Sequence, residues 1–287
     1  MKVFAIVVSF NGGGDVIKCL KALKTAGIKT VVVDNASTDG SVEEIKKFNS
    51  LEKIIINRCN LGFAKGNNQG IKFALLQGAD LILLVNQDVF VNKNTLPSLI
   101  KAFDWDKNLG LVAPVIKHPG QRFCWYDFGG QINPLTKQAR HINSRFFKKT
   151  DSLIDREFVS ACCVLISRQV FKTIGFFDQS FFLYFEDVDF CHRAIAGGFT
   201  VKVSQSSSVF HKTSSSLGEN SPSVIYYNFR NHLFFVKKHF PFYQLIISLL
   251  FNLLRIGKFL IKDRENLQPA LRATVDFICR RTGKIRQ

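Results

Sequence analysis

The first hundred residues repeat one unit, a short and almost wholly apolar run followed by a segment of helical spacing, and few folds accommodate that rhythm. Lys2–Phe10 reads as a strand, and Val16, Leu20 and Leu23 give Asp15–Ala26 a helical face. Thr30–Val33, Lys53–Ile56 and Leu81–Val85 read as further strands, each followed by a helix at Ser41–Phe48, Ala64–Leu76 and Thr95–Phe103. Leu109–Val115 adds another strand. Continuous Val/Ile/Leu strands alternating with helices predict a mostly parallel α/β sheet covered by helices on both faces. Lys117 to about Arg156 loses the rhythm and reads as an irregular excursion over the active face. Regularity returns with a strand at Phe158–Ser167 and a helix at Glu186–Ala196. Composition shifts again after about Leu217, which divides the chain into residues 1–216, themselves split near 116, and a helical appendage, 217–287.

A chain of 287 residues with 46% hydrophobic and 21% charged residues is not disordered and has ample material for a core. The seven cysteines are scattered, with Cys162 and Cys163 adjacent and no CxxC pair, which favours buried, reduced thiols over a zinc site or disulfide framework. Val3–Val8 is too short for a secretory signal and breaks at Asn11-Gly12-Gly13-Gly14, and no run of about 18–20 uninterrupted apolar residues suggests a membrane span. Charge is the unusual quantity. Lys+Arg 39 against Asp+Glu 22 leaves +17, and the segment from Arg230 onward carries twelve Lys/Arg against three Asp/Glu, a net +9. Such a tail attracts nucleic acid, anionic lipid or an anionic substrate.

In an open parallel sheet, ligands bind beyond the carboxyl ends of the strands. Those ends carry Ser9-Phe10-Asn11, Asp34-Asn35 and Asn86-Gln87-Asp88. Each could be an ordinary cap or turn residue; three together favour a site. No GxGxxG or Walker A sequence is present, so a bound diphosphate would need a cation in place of a glycine cradle. Asp88 is the candidate ligand for Mg²⁺ or Mn²⁺, which take few protein ligands and accept phosphate oxygens.

These segments resemble the family-2 glycosyltransferases of GT-A fold, especially their rhamnosyltransferase-like branch. The matching stretches are Val7–Asn11, Val33–Ser41, Asn60–Gly70, Leu84–Asp88, Gly175–Asp178, Phe185–Phe190 and His211, in the family's order. The resemblance implies inverting transfer of a sugar from a dTDP- or UDP-sugar to a hydroxyl by residues 1–216, with the nucleotide-binding half at about 1–116 and the acceptor side at 117–216. Asp34 would accept the N3–H of a pyrimidine base, with Ser9 and Asn11 lining its pocket and Asn35 and Asn67 beside the donor. Asp88 matches the acid of the family's DxD motif, and Asn86 stands where the first Asp often falls, a mark of the rhamnosyltransferase-like branch. His211 would complete metal coordination, or is an ordinary surface histidine. Lys65 would face the donor phosphates, or is simply solvated.

Inverting transfer needs a base for the acceptor hydroxyl, and a carboxylate is the usual one. Glu186, Asp187 and Asp189 open a predicted helix, where acids also suit the macrodipole. Asp189 and Arg193 are spaced to pair i,i+4, which removes Asp189 from contention. By the family motif, Asp187 is the base and Glu186 orients hydroxyls. Trp125 and Tyr126, within the aromatic-rich Arg122–Phe128, are candidates for stacking on acceptor rings or for lid packing.

In Phe242–Ile261 the polar residues Gln244, Ser248, Asn252, Arg255 and Lys258 fall in one helical stripe, flanked by Lys237, Lys238 and Lys262. This predicts a helix in a membrane interface with its cationic stripe toward anionic headgroups; packing on the catalytic domain or a homodimer contact are the alternatives. No nucleic-acid motif accompanies the charge. Tyr226–Asn231 also resembles the segment after the catalytic domain in transferases of bacterial surface polysaccharides, which implies a polyprenyl-diphosphate-linked saccharide acceptor at the cytoplasmic face of the membrane. Two other functions compete: a non-catalytic membrane scaffold with a degenerate nucleotide pocket, and a nucleotidyltransferase. The latter needs a basic residue in the glycine-rich loop that Gly12–Asp15 lacks.

Overall fold

A computed structural model describes residues 1–120, 123–212 and 221–285. Gln121 and Arg122, the Thr213–Ser216 run and the division at 216/217 lie outside the described residues. In order, the elements are β1 (Val3–Ser9), α1 (Gly13–Thr25), β2 (Lys29–Asp34), α2 (Ser41–Lys46), β3 (Leu51–Ile56), α3 (Phe63–Leu76), β4 (Leu81–Asn86), β5 (Val89–Phe90) and α4 (Thr95–Trp105). They continue with β6 (Leu109–His118), β7 (Trp125–Ile132), β8 (Ala139–Ser144), β9 (Leu153–Asp155), β10 (Cys163–Ser167), α5 (Arg168–Ile174), α6 (Glu186–Ala196), β11 (Thr200–His211), α7 (Pro222–His239), α8 (Phe242–Lys262) and α9 (Arg264–Ile278).

One sheet organises the chain, in the order β3-β2-β1-β4-β10-β6-β11-β5. β3, β2, β1 and β4 are parallel, as the early rhythm predicts, and β11 runs parallel to β6. β10 is antiparallel to both its neighbours, β4 and β6. Alternation within single strands builds two cores. Phe4, Ile6, Ile82 and Leu84 pack with α3, α6 and α7 on one face, while Ala5, Val7, Leu83 and Val85 pack with α1 and α4 on the other. Burying every apolar side chain of a strand requires cover on both faces, and the chain supplies it.

Four expectations need correction. The stretch 117–156 is not irregular: β7 and β8 form a hairpin on β6, and β9 pairs with β11. The hairpin hides because glycines interrupt it where Phe158 presses on the backbone; a Cβ at Gly130 would sit 2.1 Å from the Phe158 ring. The strand expected at Phe158–Ser167 begins only at Cys163. Among the described residues the appendage holds three helices, of which the sequence pattern placed only α8. Of seven free thiols, Cys59 and Cys279 are exposed.

α8 also sits the other way round. Ser248 and Asn252 of its polar stripe are buried, and donate to the carbonyls of Thr136 (3.0 Å) and Phe229 (3.5 Å). Arg255 lies 4.0 Å from the Phe229 ring centroid, and burial lowers its pKa to about 10. Lys258 alone of the two cations in the stripe is exposed. The polar stripe therefore faces protein, and Phe242, Tyr243, Ile246, Leu250, Leu254 and Ile261 face outward. By length and composition α8 is apolar enough to cross a membrane.

Candidate active site

The register sets Ser9 beside Asp34 and Val8 beside Asn86, so the ends of β2, β1 and β4 form a row. At about 4.8 Å between strands, the row spans about 10 Å. Asp34 is fully buried and accepts from the Ser37 backbone N–H (2.9 Å) and the Ser37 hydroxyl (2.6 Å). Asn11, at φ 48°, accepts from the Thr38 N–H at 2.8 Å, while its own N–H reaches Ser37 Oγ at 2.9 Å. The Ser9 hydroxyl is buried in this row with no partner, and such a group calls for a ligand or water. Gln87 braces β1 by accepting from the Phe10 N–H and donating to the Phe10 carbonyl.

Other expected donor contacts divide. Asn35 is spent on structure, donating to the Gly62 carbonyl (3.1 Å) and accepting from Asn57 (2.9 Å). Asn67 is buried on α3 and donates to the Phe63 carbonyl. Lys65 is exposed on the same helix.

Asp88 and His211 meet at 3.1 Å, Oδ1 to Nε2, both largely buried. Burial lowers the pKa of His211, but Cys162 and then the Asp88 carboxylate outweigh it and raise the pKa to about 10. Among the described residues no three metal-ligating side chains gather. A carboxylate and an imidazole nevertheless suit Mg²⁺ or Mn²⁺, because such ions bind through few protein ligands and fill their shell with phosphate and water. The residues fit the ion.

Asp187, half-buried, accepts from the Ala161 N–H (3.3 Å) and from the Val188 N–H (2.9 Å). The next residue, Cys162, helps raise the pKa of His211, and its carbonyl accepts from the Asn86 N–H at 2.8 Å. Two consecutive residues ahead of β10 thus join the expected base, the His211–Asp88 pair and the end of β4. An antiparallel strand makes this possible, since β10 starts where its neighbour β4 ends.

Burial and then the charge of Asp187 hold the Glu186 carboxyl well above the usual range, and its Oε2 has no partner. Burial also raises Asp187, opposed first by His141 and then by its backbone N–H bonds. Burial thus raises both carboxyls, Glu186 the further of the two. The chain enters this pair through Tyr184 (φ 65°) and Phe185 (φ 71°), two consecutive left-handed residues that are not glycine. Such strain persists only where the surroundings hold it. Asn231 of α7, fully buried, donates to both the Leu183 and Tyr184 carbonyls at 2.9 Å.

Asp189 is structural, as its spacing predicts, but it has more partners than Arg193 (2.8 Å). Lys238 and His239 of α7 each approach it at 2.7 Å. Trp125 and Tyr126 are engaged within the protein. Trp125 stacks on His118 with centroids 4.0 Å apart, and Tyr126 packs on Phe147 at 5.4 Å. His118, its pKa lowered to about 4 by burial, lies 5.1 Å from His211. His141 pairs with Asp127 at 2.8 Å, and that contact outweighs burial and raises its pKa. His118, His141 and Cys162 carry no local sequence signal for this role; Asn231 closes the Tyr226–Asn231 stretch noted from sequence, but only the fold brings it to the turn ahead of Glu186.

The match to known proteins agrees with this geometry. The family model described as glycosyl transferase family 2 matches residues 4–175. The low-salt glycan biosynthesis hexosyltransferase Agl10 of Haloferax volcanii is 26% identical over 97% of this chain and 92% of its own. The dTDP-rhamnosyl transferase RfbF of Shigella flexneri is 24% identical over 98% and 97%. The N-acetylglucosaminyl-diphospho-decaprenol L-rhamnosyltransferase of Mycobacterium tuberculosis is 22% identical over 82% and 84%. Among solved structures, GalNAc-T7 with UDP, GalNAc and Mn²⁺ superposes with a TM-score of 0.64 at 16% identity, over 83% of this chain and 48% of that one. Residues 1–349 of S. aureus TarS with UDP-GlcNAc give 0.62 at 20% identity, over 97% and 81%. With a GT-A fold and this family match over more than half its length, the chain belongs to glycosyl transferase family 2.

Proposed function

We propose that this protein is an inverting, metal-dependent glycosyltransferase of cell-surface polysaccharide synthesis, moving rhamnose or a related hexose from a dTDP- or UDP-sugar to a hydroxyl of a polyprenyl-diphosphate-linked saccharide. One observation carries the reading: Ala161 and Cys162 bring Asp187 and the His211–Asp88 pair to one place at the strand ends. The names of the Shigella and mycobacterial relatives support dTDP-rhamnose as donor and a lipid diphosphate as acceptor carrier.

Ser9, Asn11 and the Asp34–Ser37 turn wall the base pocket, with Asn35, Lys65 and Asn67 holding and facing its α3 side. Asp88 and His211 would hold Mg²⁺ or Mn²⁺, which when bound stabilises charge on the departing diphosphate. Asn86 offers the donor a hydrogen bond without a second negative charge. Asp187 Oδ takes the acceptor hydroxyl's proton while that oxygen attacks opposite the diphosphate. Glu186 orients an acceptor or donor hydroxyl. The protein works at the inner face of the cell membrane, where the outward apolar face of α8 and a tail of net +9 both suit an anionic bilayer.

Thermal shifts with dTDP-rhamnose, UDP-GlcNAc and GDP-mannose, each with and without Mn²⁺, test the donor. Pyrimidine nucleotides with Mn²⁺ raise the Tm; stabilisation by the GDP-sugar alone refutes the base pocket. Asp187→Asn keeps the donor-induced shift and loses about 10²–10⁴-fold in transfer. Transfer at the rate of the unaltered protein removes the base from Asp187.

A further inference from the structure

Away from the strand ends, α7, α9 and the residues after α9 enclose a cavity of about 260 Å³. One water claims about 30 Å³ of liquid, so the space admits an anion of many atoms. Arg230, Arg272, Arg280, Arg281 and Lys284 line it against a single carboxylate, Asp276. That carboxylate is already engaged by the Tyr226 hydroxyl (2.7 Å) and by Arg281 (3.0 Å).

Arg230 is the decisive residue. It is 1% exposed, yet its hydrogen bonds go to neutral acceptors: Asn231 Oδ1 (3.1 Å), Tyr226 Oη (3.0 Å) and the Gly283 carbonyl (2.7 Å). A buried guanidinium held by neutral groups at a cavity wall is costly unless an anion joins it, and a guanidinium matches the geometry of phosphate. The same helix that contributes Arg272 exposes Leu271, Val275 and Ile278. Those three apolar residues lie outside the cavity lining, which is itself charged and polar.

We propose that this cavity binds the phosphate or diphosphate group of an amphiphile, supplied either by a glycerophospholipid headgroup or by a polyprenyl diphosphate. The site does not depend on the transferase reading, so either can fail alone. Arg230 also holds the Asn231 side chain that grips the turn ahead of Glu186, which places the anion two side chains from that turn.

The test is calorimetric titration of the full chain in EDTA, which removes metal-assisted binding at Asp88, with inorganic diphosphate and then farnesyl diphosphate as ligands. Flotation with phosphatidylglycerol or phosphatidylcholine vesicles follows. Arg280→Gln/Lys284→Gln is compared with Lys21→Gln/Lys24→Gln, a control on α1 that removes the same charge. Diphosphate binding falls at least tenfold in the first variant and is unchanged in the second. Tighter binding of farnesyl diphosphate identifies the polyprenyl source; displacement of diphosphate by phosphatidylglycerol vesicles identifies the headgroup. Absence of diphosphate binding, equal loss in both variants, or binding of diphosphate with neither lipid source overturns the proposal.

Discussion

Replacing Asp189 by Asn tests what holds α6 in place. Asp189 is fully buried on α6 and carries Arg193 at 2.8 Å with Lys238 and His239 at 2.7 Å. Arg193 in turn donates to the carbonyls of Ile174 and Phe176, so the carboxylate ties α6 both to α7 and to the segment after α5. Asn keeps the shape but removes the charge, leaving the largely buried Arg193 without its counter-charge; breaking such a pair costs about 3–5 kcal/mol. With a urea m-value of about 3 kcal/mol/M, the unfolding midpoint falls by about 1–1.7 M. The pH dependence is an independent check. Burial opposes ionisation, but the bonds from His239, Arg193 and Lys238 hold the pKa at about 2 against the usual 3.8. That difference is about 2 kcal/mol of stability. Because the folded value is the lower one, the contribution is complete above about pH 4 and is lost as pH falls through about 2. Equilibrium unfolding in urea at neutral pH, and melts between pH 2 and 5, measure both. A loss under about 1 kcal/mol, or the same acid dependence in Asp189→Asn as in the unaltered protein, refutes the account.

Asn231→Ala releases the Leu183 and Tyr184 carbonyls; stability falls by about 1–3 kcal/mol, and steady-state kinetics show a lower kcat with an unchanged donor KM. His211→Ala weakens Mn²⁺ binding more than about tenfold, read by titration calorimetry. Gly62→Ala places a Cβ 2.4 Å from the Phe182 carbonyl at φ +83°, so thermal melts report a loss of about 1–3 kcal/mol.

The early sheet was legible because strands covered on both faces must be apolar along their covered length, and Val3–Val8, Val31–Val33 and Leu81–Val85 are. Strand direction leaves no such trace: β10 reads as another apolar run, and its reversal is visible only in its pairing with β4 and β6. β11 escaped because its serines and the register shift between Ser204 and Ser208 erase any simple alternation. The strand-end acids were legible from type and position, but the Asn231 clamp joins residues 47 and 48 positions apart. For α8, periodicity separated a polar stripe from an apolar face without saying which one meets protein. Two carbonyls, of Thr136 and Phe229, decided it by accepting from Ser248 and Asn252.

The place of β10 between β4 and β6 bears on how the polypeptide assembles as it leaves the ribosome. β3, β2, β1 and β4 can zip together early, yet the outer margin of β4 then has no hydrogen-bonding neighbour until Cys163–Ser167 has been made. At about 5–20 residues per second, synthesis from Asn86 to Cys163 takes about 4–15 s. For those seconds a naked row of amides and carbonyls on a strongly apolar strand invites pairing with another nascent chain. Shielding by a chaperone during that interval would raise the yield of soluble protein.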